Sequence, residues 1–78
     1  MFDLFILDTC PYCQKVMKFM DENGIKYNKI NTKIDENALK LLAIGGKDQV
    51  PFIYDKQNHI KLYESDEIIN YLKENKNV

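Results

Sequence analysis

The sequence predicts an α/β domain in which strands and helices follow one another as β-α-β-α-β-β-α, with the four strands in one mixed sheet. Short apolar runs of strand character alternate with amphipathic stretches of helical spacing, and glycines or acidic residues mark where the helices stop and start. The first two strands are joined through a helix and are expected to be parallel. The last two are joined by a short turn and are expected to form an antiparallel hairpin.

Each element has its own local reason. Phe2 to Leu7 is an aromatic and aliphatic run, interrupted only by Asp3, and reads as a buried first strand. Cys13, Val16, Met17 and Met20 then recur at helical spacing, with Lys15, Lys18 and Asp21 opposite and Gly24 as the stop. The sulfurs of Met17 and Met20 are soft enough for a metal, but this spacing assigns them to packing against the sheet. "IKYNKI", residues 25–30, alternates as a half-exposed strand. "DENALKLLAIGG" follows as a helix whose acidic first turn complements the dipole and whose Gly45–Gly46 pair ends it. Val50–Pro51 breaks the pattern before the short strand "FIYD"; residues 55–58 read as a turn, and "HIKLYE" as the returning strand. In "SDEIINYLKEN", Ser65 is the expected N-cap, Asp66 and Glu67 fill the first turn, and Ile68, Ile69 and Leu72 form the inward face. The closing "KENKNV" reads as a frayed polar helix end.

Composition narrows the function classes. The 78 residues suit one small domain over 1–78, near the size at which a single core barely suffices. Hydrophobic residues make up 45% and charged residues 29%, a globular mixture rather than a disordered one. Eleven basic and twelve acidic side chains are spread along the chain without a basic stripe, which argues against nucleic-acid binding. "MFDLFILD" lacks a basic leader and is too short for a signal peptide or a membrane span. A cytoplasmic monomer is therefore expected, in a compartment that disfavours a permanent structural disulfide.

The two cysteines, Cys10 and Cys13, stand two residues apart in "TCPYC". Cys10 falls between the first strand and the first helix, and Cys13 one turn into that helix. Side chains at this spacing have Cβ atoms roughly 5–6 Å apart, so a small adjustment opens or closes a disulfide. Pro11 fits the first turn, where no backbone N–H is needed. Free N–H groups and the positive end of the dipole favour a thiolate at Cys10, whereas Cys13 points back toward the core. That asymmetry makes Cys10 the attacking nucleophile and Cys13 the resolving thiol. A structural zinc site wants four ligands; His59 is the only histidine, lies beside a hairpin turn, and reads as a solvated strand residue. No metal is expected.

Cys10-Pro11-Tyr12-Cys13 between strand and helix, Val50-Pro51 before a strand, and Glu64-Ser65-Asp66 opening the last helix together resemble the glutaredoxins over essentially the whole chain. The resemblance implies a thioredoxin-like fold and glutathione-dependent reduction of protein disulfides and glutathione mixed disulfides. It implies that Tyr12 lies along bound glutathione and that the Val50 backbone pairs with its cysteinyl group as an added strand would. It further implies a cis Pro51 beside Cys10, with Ser65 and Asp66 holding the γ-glutamyl end. Chemistry independently favours the last pairing, because a carboxylate suits Ser65 and the free N–H groups while an ammonium suits Asp66.

Two departures stand out. Many glutaredoxins carry Lys or Arg three residues before the first cysteine, where this chain has Leu7; Lys47 is a candidate replacement, and Gln49 a candidate contact to the same ligand. A Gly-Gly pair before the last helix is replaced by Leu62-Tyr63, and "LYESDEIINYL" is similar instead to glutathione transferase N-terminal domains, in which a Glu-Ser pair holds the γ-glutamyl group. Two other functions fit the same residues: a redoxin reduced by thioredoxin reductase, and a carrier whose Cys10 and glutathione ligate a [2Fe–2S] cluster between two protomers.

Overall fold

The chain forms the expected order as β1 (Phe2–Ile6), α1 (Pro11–Glu22), β2 (Tyr27–Asn31), α2 (Asp35–Gly45), β3 (Phe52–Asp55), β4 (Ile60–Leu62) and α3 (Ser65–Asn75). The structure is a computed structural model that describes residues 1–75. Of the expected frayed end, residues 73–75 are helical and the rest lies outside the described residues.

The sheet order is β2-β1-β3-β4, with β1 parallel to β2 and antiparallel to β3, and β3 antiparallel to β4. β1 is therefore interior and covered on both faces, which is why its sequence reads as a continuous apolar run. Alternate side chains feed two cores. Leu4 and Ile6 pack with Cys13, Val16 and Met20 of α1 and with Ile68 and Leu72 of α3. Phe5 faces the other way, onto Phe52 and Leu41 of α2. Met17 and Ile69 are half-buried at the margin of the larger core.

Several element ends differ from the expected ones, each for a local reason. β1 stops at Ile6 because the Leu7 carbonyl accepts the Cys10 N–H at 3.1 Å and turns the chain into α1. β2 begins only at Tyr27, since the Ile25 N–H is spent on the Met20 carbonyl, 2.9 Å away, at the end of α1. His59 is not a strand residue; it is exposed in the hairpin turn with φ 56°. Ser65 is the first helical residue rather than the N-cap, and the Glu64 carbonyl accepts the Ile68 N–H at 2.8 Å to close the first turn. Gly46 ends α2 in the left-handed conformation at φ 84°, the backbone state that favours glycine.

At the far end of β3, Asp55 is 3% exposed and ties the hairpin to α3. It accepts hydrogen bonds from Asn58 Nδ2 at 2.8 Å, Tyr71 OH at 2.7 Å and the Gln57 N–H at 3.2 Å. Burial pushes its carboxyl up, but these donors outweigh burial and hold it below the usual range. The folded value lies below that of an unfolded aspartate, about 3.9. The bonds therefore stabilise the fold fully above that pH, and the contribution is lost as pH falls through the folded value. Asp55→Asn is expected to cost about 1.5–3 kcal/mol at neutral pH, the range for hydrogen bonds to a charged group. Urea unfolding near pH 7 and pH 3 checks this: the deficit should shrink in acid, and an equal deficit at both would remove the charge from the account.

A dithiol and its flanking groove

The sulfur pair is built by one helix start. Cys10 occupies the N-cap of α1 in extended conformation (φ −83°, ψ 116°), and Pro11 is the first helical residue. Extended geometry at the cap turns Cys10 Sγ back over the first turn, where it accepts the Cys13 N–H at 3.4 Å. Gln14 Nε2 donates to the Asp8 carbonyl at 2.7 Å and anchors the preceding loop to the same helix. Both thiols are free, Cys10 half-buried and Cys13 fully buried.

Of the two, Cys13 is the one withdrawn into the core. Burial pushes the Cys13 thiol up to about 12; a backbone hydrogen bond from Leu7 works against this, while the hydrogen bond and charge of Cys10 add to it. Cys13 is a protonated thiol at neutral pH, and part of what keeps it so is the neighbouring Cys10.

Beside the pair runs a groove of about 380 Å³. All six flanking residues singled out from the sequence line it: Tyr12, Gln49, Val50, Pro51, Ser65 and Asp66. The β1–β3 register explains the convergence, because Phe5 opposite Phe52 sets Pro51 beside the end of β1, where the cysteine loop begins. The Val50–Pro51 bond is cis. Tyr12, 64% exposed, projects from α1 as the opposite wall.

Tyr63 and Glu64 complete the lining. Glu64 was visible beside Ser65 in the sequence; Tyr63 had no signal, since its partner lies sixteen residues away. The Tyr63 hydroxyl accepts the Lys47 N–H at 3.0 Å and donates to the Lys47 carbonyl at 3.1 Å. Its ring rests on Phe52 at 4.5 Å between centroids. Lys47 is not in the groove lining; its Nζ lies over the Tyr63 ring, 5.4 Å from the centroid. Glu64 Oε1 accepts a hydrogen bond from Gln49 Nε2 at 3.3 Å. Asp66 pairs with Lys15 at 2.7 Å across the α1–α3 interface, and that hydrogen bond and charge hold its carboxyl below the ordinary range. Leu7 lies outside the groove lining and borders a separate pocket together with Asp8, Thr9, Asn31 and Lys33. Among the described residues no three His, Cys, Asp or Glu side chains stand together as metal ligands.

Sheet order and the dithiol at a helix start define a thioredoxin-like domain, and thioredoxin-like and glutaredoxin structures share its fold. Residues 4–77 match the family model described as glutathione S-transferase, N-terminal domain. Glutaredoxin 1 of Rickettsia prowazekii is 30% identical over 74 residues, covering 91% of this chain and 76% of that protein. Glutaredoxin 1 of Rickettsia conorii is 32% identical over 60 residues, covering 73% of this chain but only 59% of its own length. Human glutathione S-transferase T1-1 in its apo form superposes with a TM-score of 0.82 at 22% identity, covering 100% of this chain and 33% of that one. This chain belongs to the glutathione S-transferase N-terminal domain family, in company with the glutaredoxins.

Proposed function

We propose that the chain is a glutathione-dependent thiol–disulfide oxidoreductase that reduces protein disulfides and glutathione mixed disulfides through Cys10 and Cys13. The observation that carries this reading is the unequally buried sulfur pair beside a groove of about 380 Å³. The glutaredoxin relatives and the family support it.

Cys10 Sγ, as thiolate, attacks one sulfur of a substrate disulfide; the S–S bond breaks, a mixed disulfide with Cys10 forms, and the other sulfur leaves as a thiolate that takes up a proton. Once Cys10 is in a mixed disulfide its negative charge is gone, which removes two of the influences that held the Cys13 proton. Cys13 then loses that proton, attacks Cys10 Sγ, and expels the second substrate thiol. One glutathione thiolate opens the Cys10–Cys13 disulfide to give glutathionylated Cys10. A second attacks the glutathione sulfur, releasing glutathione disulfide and the Cys10 thiolate. Two glutathione molecules thus supply the two electrons.

In the groove, the γ-glutamyl carboxylate of a bound glutathionyl group suits Ser65 and the free N–H groups opening α3. Its ammonium suits Asp66 and Glu64, with Lys15 sharing or yielding Asp66. The Val50 backbone offers strand-like pairing, and Tyr12 covers the peptide. A cytoplasmic location fits this chemistry, since that compartment is kept reducing.

A coupled turnover assay tests the reading. Glutathione with glutathione reductase is expected to sustain disulfide reduction, and NADPH with thioredoxin reductase alone is not. The reverse result would sink glutathione dependence and favour a thioredoxin-reductase-fed redoxin.

A further inference from the structure

We propose that the outer face of α2 docks an amphipathic helix of a partner protein, one whose apolar stripe is flanked by Lys or Arg. The surface is separate from the dithiol chemistry. Alternate residues of β1 face α1 and α3 on one side of the sheet and α2 on the other, so the two surfaces belong to opposite layers.

α2 carries more apolar surface than the fold uses. Leu41 is its buried residue and packs with Phe5 and Phe52. Leu39 and Leu42 lie outside that core, 68% and 47% exposed. Ile34, the N-cap residue, is 56% exposed and makes no side-chain capping bond. Ser, Thr, Asp or Asn would cap the helix there, and Ile neither caps it nor reaches the core. Five large apolar side chains are exposed among the described residues, and three of them belong to this one element. A single exposed leucine needs no account, but such a concentration marks a contact surface.

Charge decides what covers it. Asp35, Ala38, Leu39, Leu42 and Asp48 line a hollow of about 370 Å³, with no Lys, Arg or His among them. Asp35 stands one turn before Leu39, and Asp48 lies just past the end of α2, so carboxylates flank the leucines. Among the described residues neither carboxylate is in a salt bridge. Leu39 and Leu42, three residues apart, form a ridge of the kind that packs into the groove of another helix. Cations beside the partner's apolar stripe then meet the two unpaired carboxylates. A second copy of this chain fits poorly, because a two-fold contact would set the same acidic pair against itself.

A fluorescein-labelled synthetic helix about 14 residues long, with Leu along one face and Lys beside it, tests this by anisotropy titration with the full chain. Saturable binding is expected. Leu39→Ser and Leu42→Ser should each weaken it about fivefold, as for the burial of a partly exposed leucine. Asp35→Asn combined with Asp48→Asn should weaken it about threefold at low salt and less at high salt. A peptide with Glu in place of Lys should bind more weakly to the native protein. All four positions are exposed, so the variants are expected to keep the native circular dichroism spectrum. Absence of saturable binding, unchanged binding by Leu39→Ser and Leu42→Ser, or equal binding of the acidic peptide would overturn the proposal. So would sedimentation showing a dimer that Leu39→Ser dissociates, since the face would then belong to a second copy.

Discussion

Cys10→Ser is expected to reduce activity to background on every disulfide, whereas Cys13→Ser keeps turnover of glutathione mixed disulfides and loses that of protein disulfides. The difference follows from where each sulfur sits. Cys10 is the half-buried sulfur at the N-cap of α1 and receives the Cys13 N–H, so a leaving or attacking charge there is met by a donor and the helix start. A serine in its place has a far less acidic and less nucleophilic oxygen, and no second sulfur can substitute from the core. Cys13 has no exposed surface, and burial holds its thiol up to about 12, so it is protonated at pH 7. In the proposed mechanism it attacks only after Cys10 is capped, and a substrate that delivers glutathione to Cys10 does not need it. Alkylation of the reduced protein near neutral pH should label Cys10 and spare Cys13. Faster labelling of Cys13, or full protein-disulfide turnover by Cys13→Ser, would assign the roles wrongly. Circular dichroism controls for the polar substitution in the core, where a lone hydroxyl costs about 1–3 kcal/mol if it finds no partner.

What the sequence disclosed about this site follows the range of the interactions involved. The helix that carries the cysteines is written locally, in Pro11 at the first position and Val16 and Met20 one and two turns after Cys13. The placement of the thiols could therefore be read without the fold. Connectivity gave the parallel and hairpin pairs, but not the pairing of β1 with β3, which joins segments far apart in sequence and fixes Pro51 beside the cysteines. Lys15 with Asp66, 51 residues apart, is the same case, for an exposed Lys at a helix face looks solvated until the third helix is docked. Ser65 illustrates a limit of another kind. Ser followed by acidic residues is a good N-cap pattern, yet the Glu64 carbonyl closes the first helical turn one residue earlier. The six groove residues still converge, because their positions depend on which strand and helix ends meet and not on a one-residue boundary.

Gly45→Ala is expected to destabilise the fold by about 2–3 kcal/mol, the upper part of the range for overpacking, and to raise the KM for glutathionylated substrate. Gly45 does not need glycine for its backbone angles; it needs the space. A Cβ there would run into the Tyr63 hydroxyl, with Tyr63 Cζ at 2.8 Å and Phe52 Cε1 at 3.2 Å. The ring cannot yield cheaply. Moving it breaks both hydrogen bonds to the Lys47 backbone and separates it from Phe52, a buried side chain of the smaller core. Those Lys47 bonds hold the segment that leads directly into Gln49 and Val50, the groove wall whose backbone is proposed to pair with the ligand. Tyr63→Phe separates the two effects. It keeps the ring on Phe52 and over Gly45 but removes the hydroxyl, so stability should fall by about 1–2 kcal/mol, as for two exchanged hydrogen bonds. If the hydroxyl positions the groove wall, Tyr63→Phe raises KM with kcat little changed, because Cys10 and Cys13 are untouched. In the Gly45→Ala background, Tyr63→Phe should then restore part of the lost stability, since the overlapping oxygen is gone. Additive losses in that double variant would mean that the Cβ and the hydroxyl do not compete for one space.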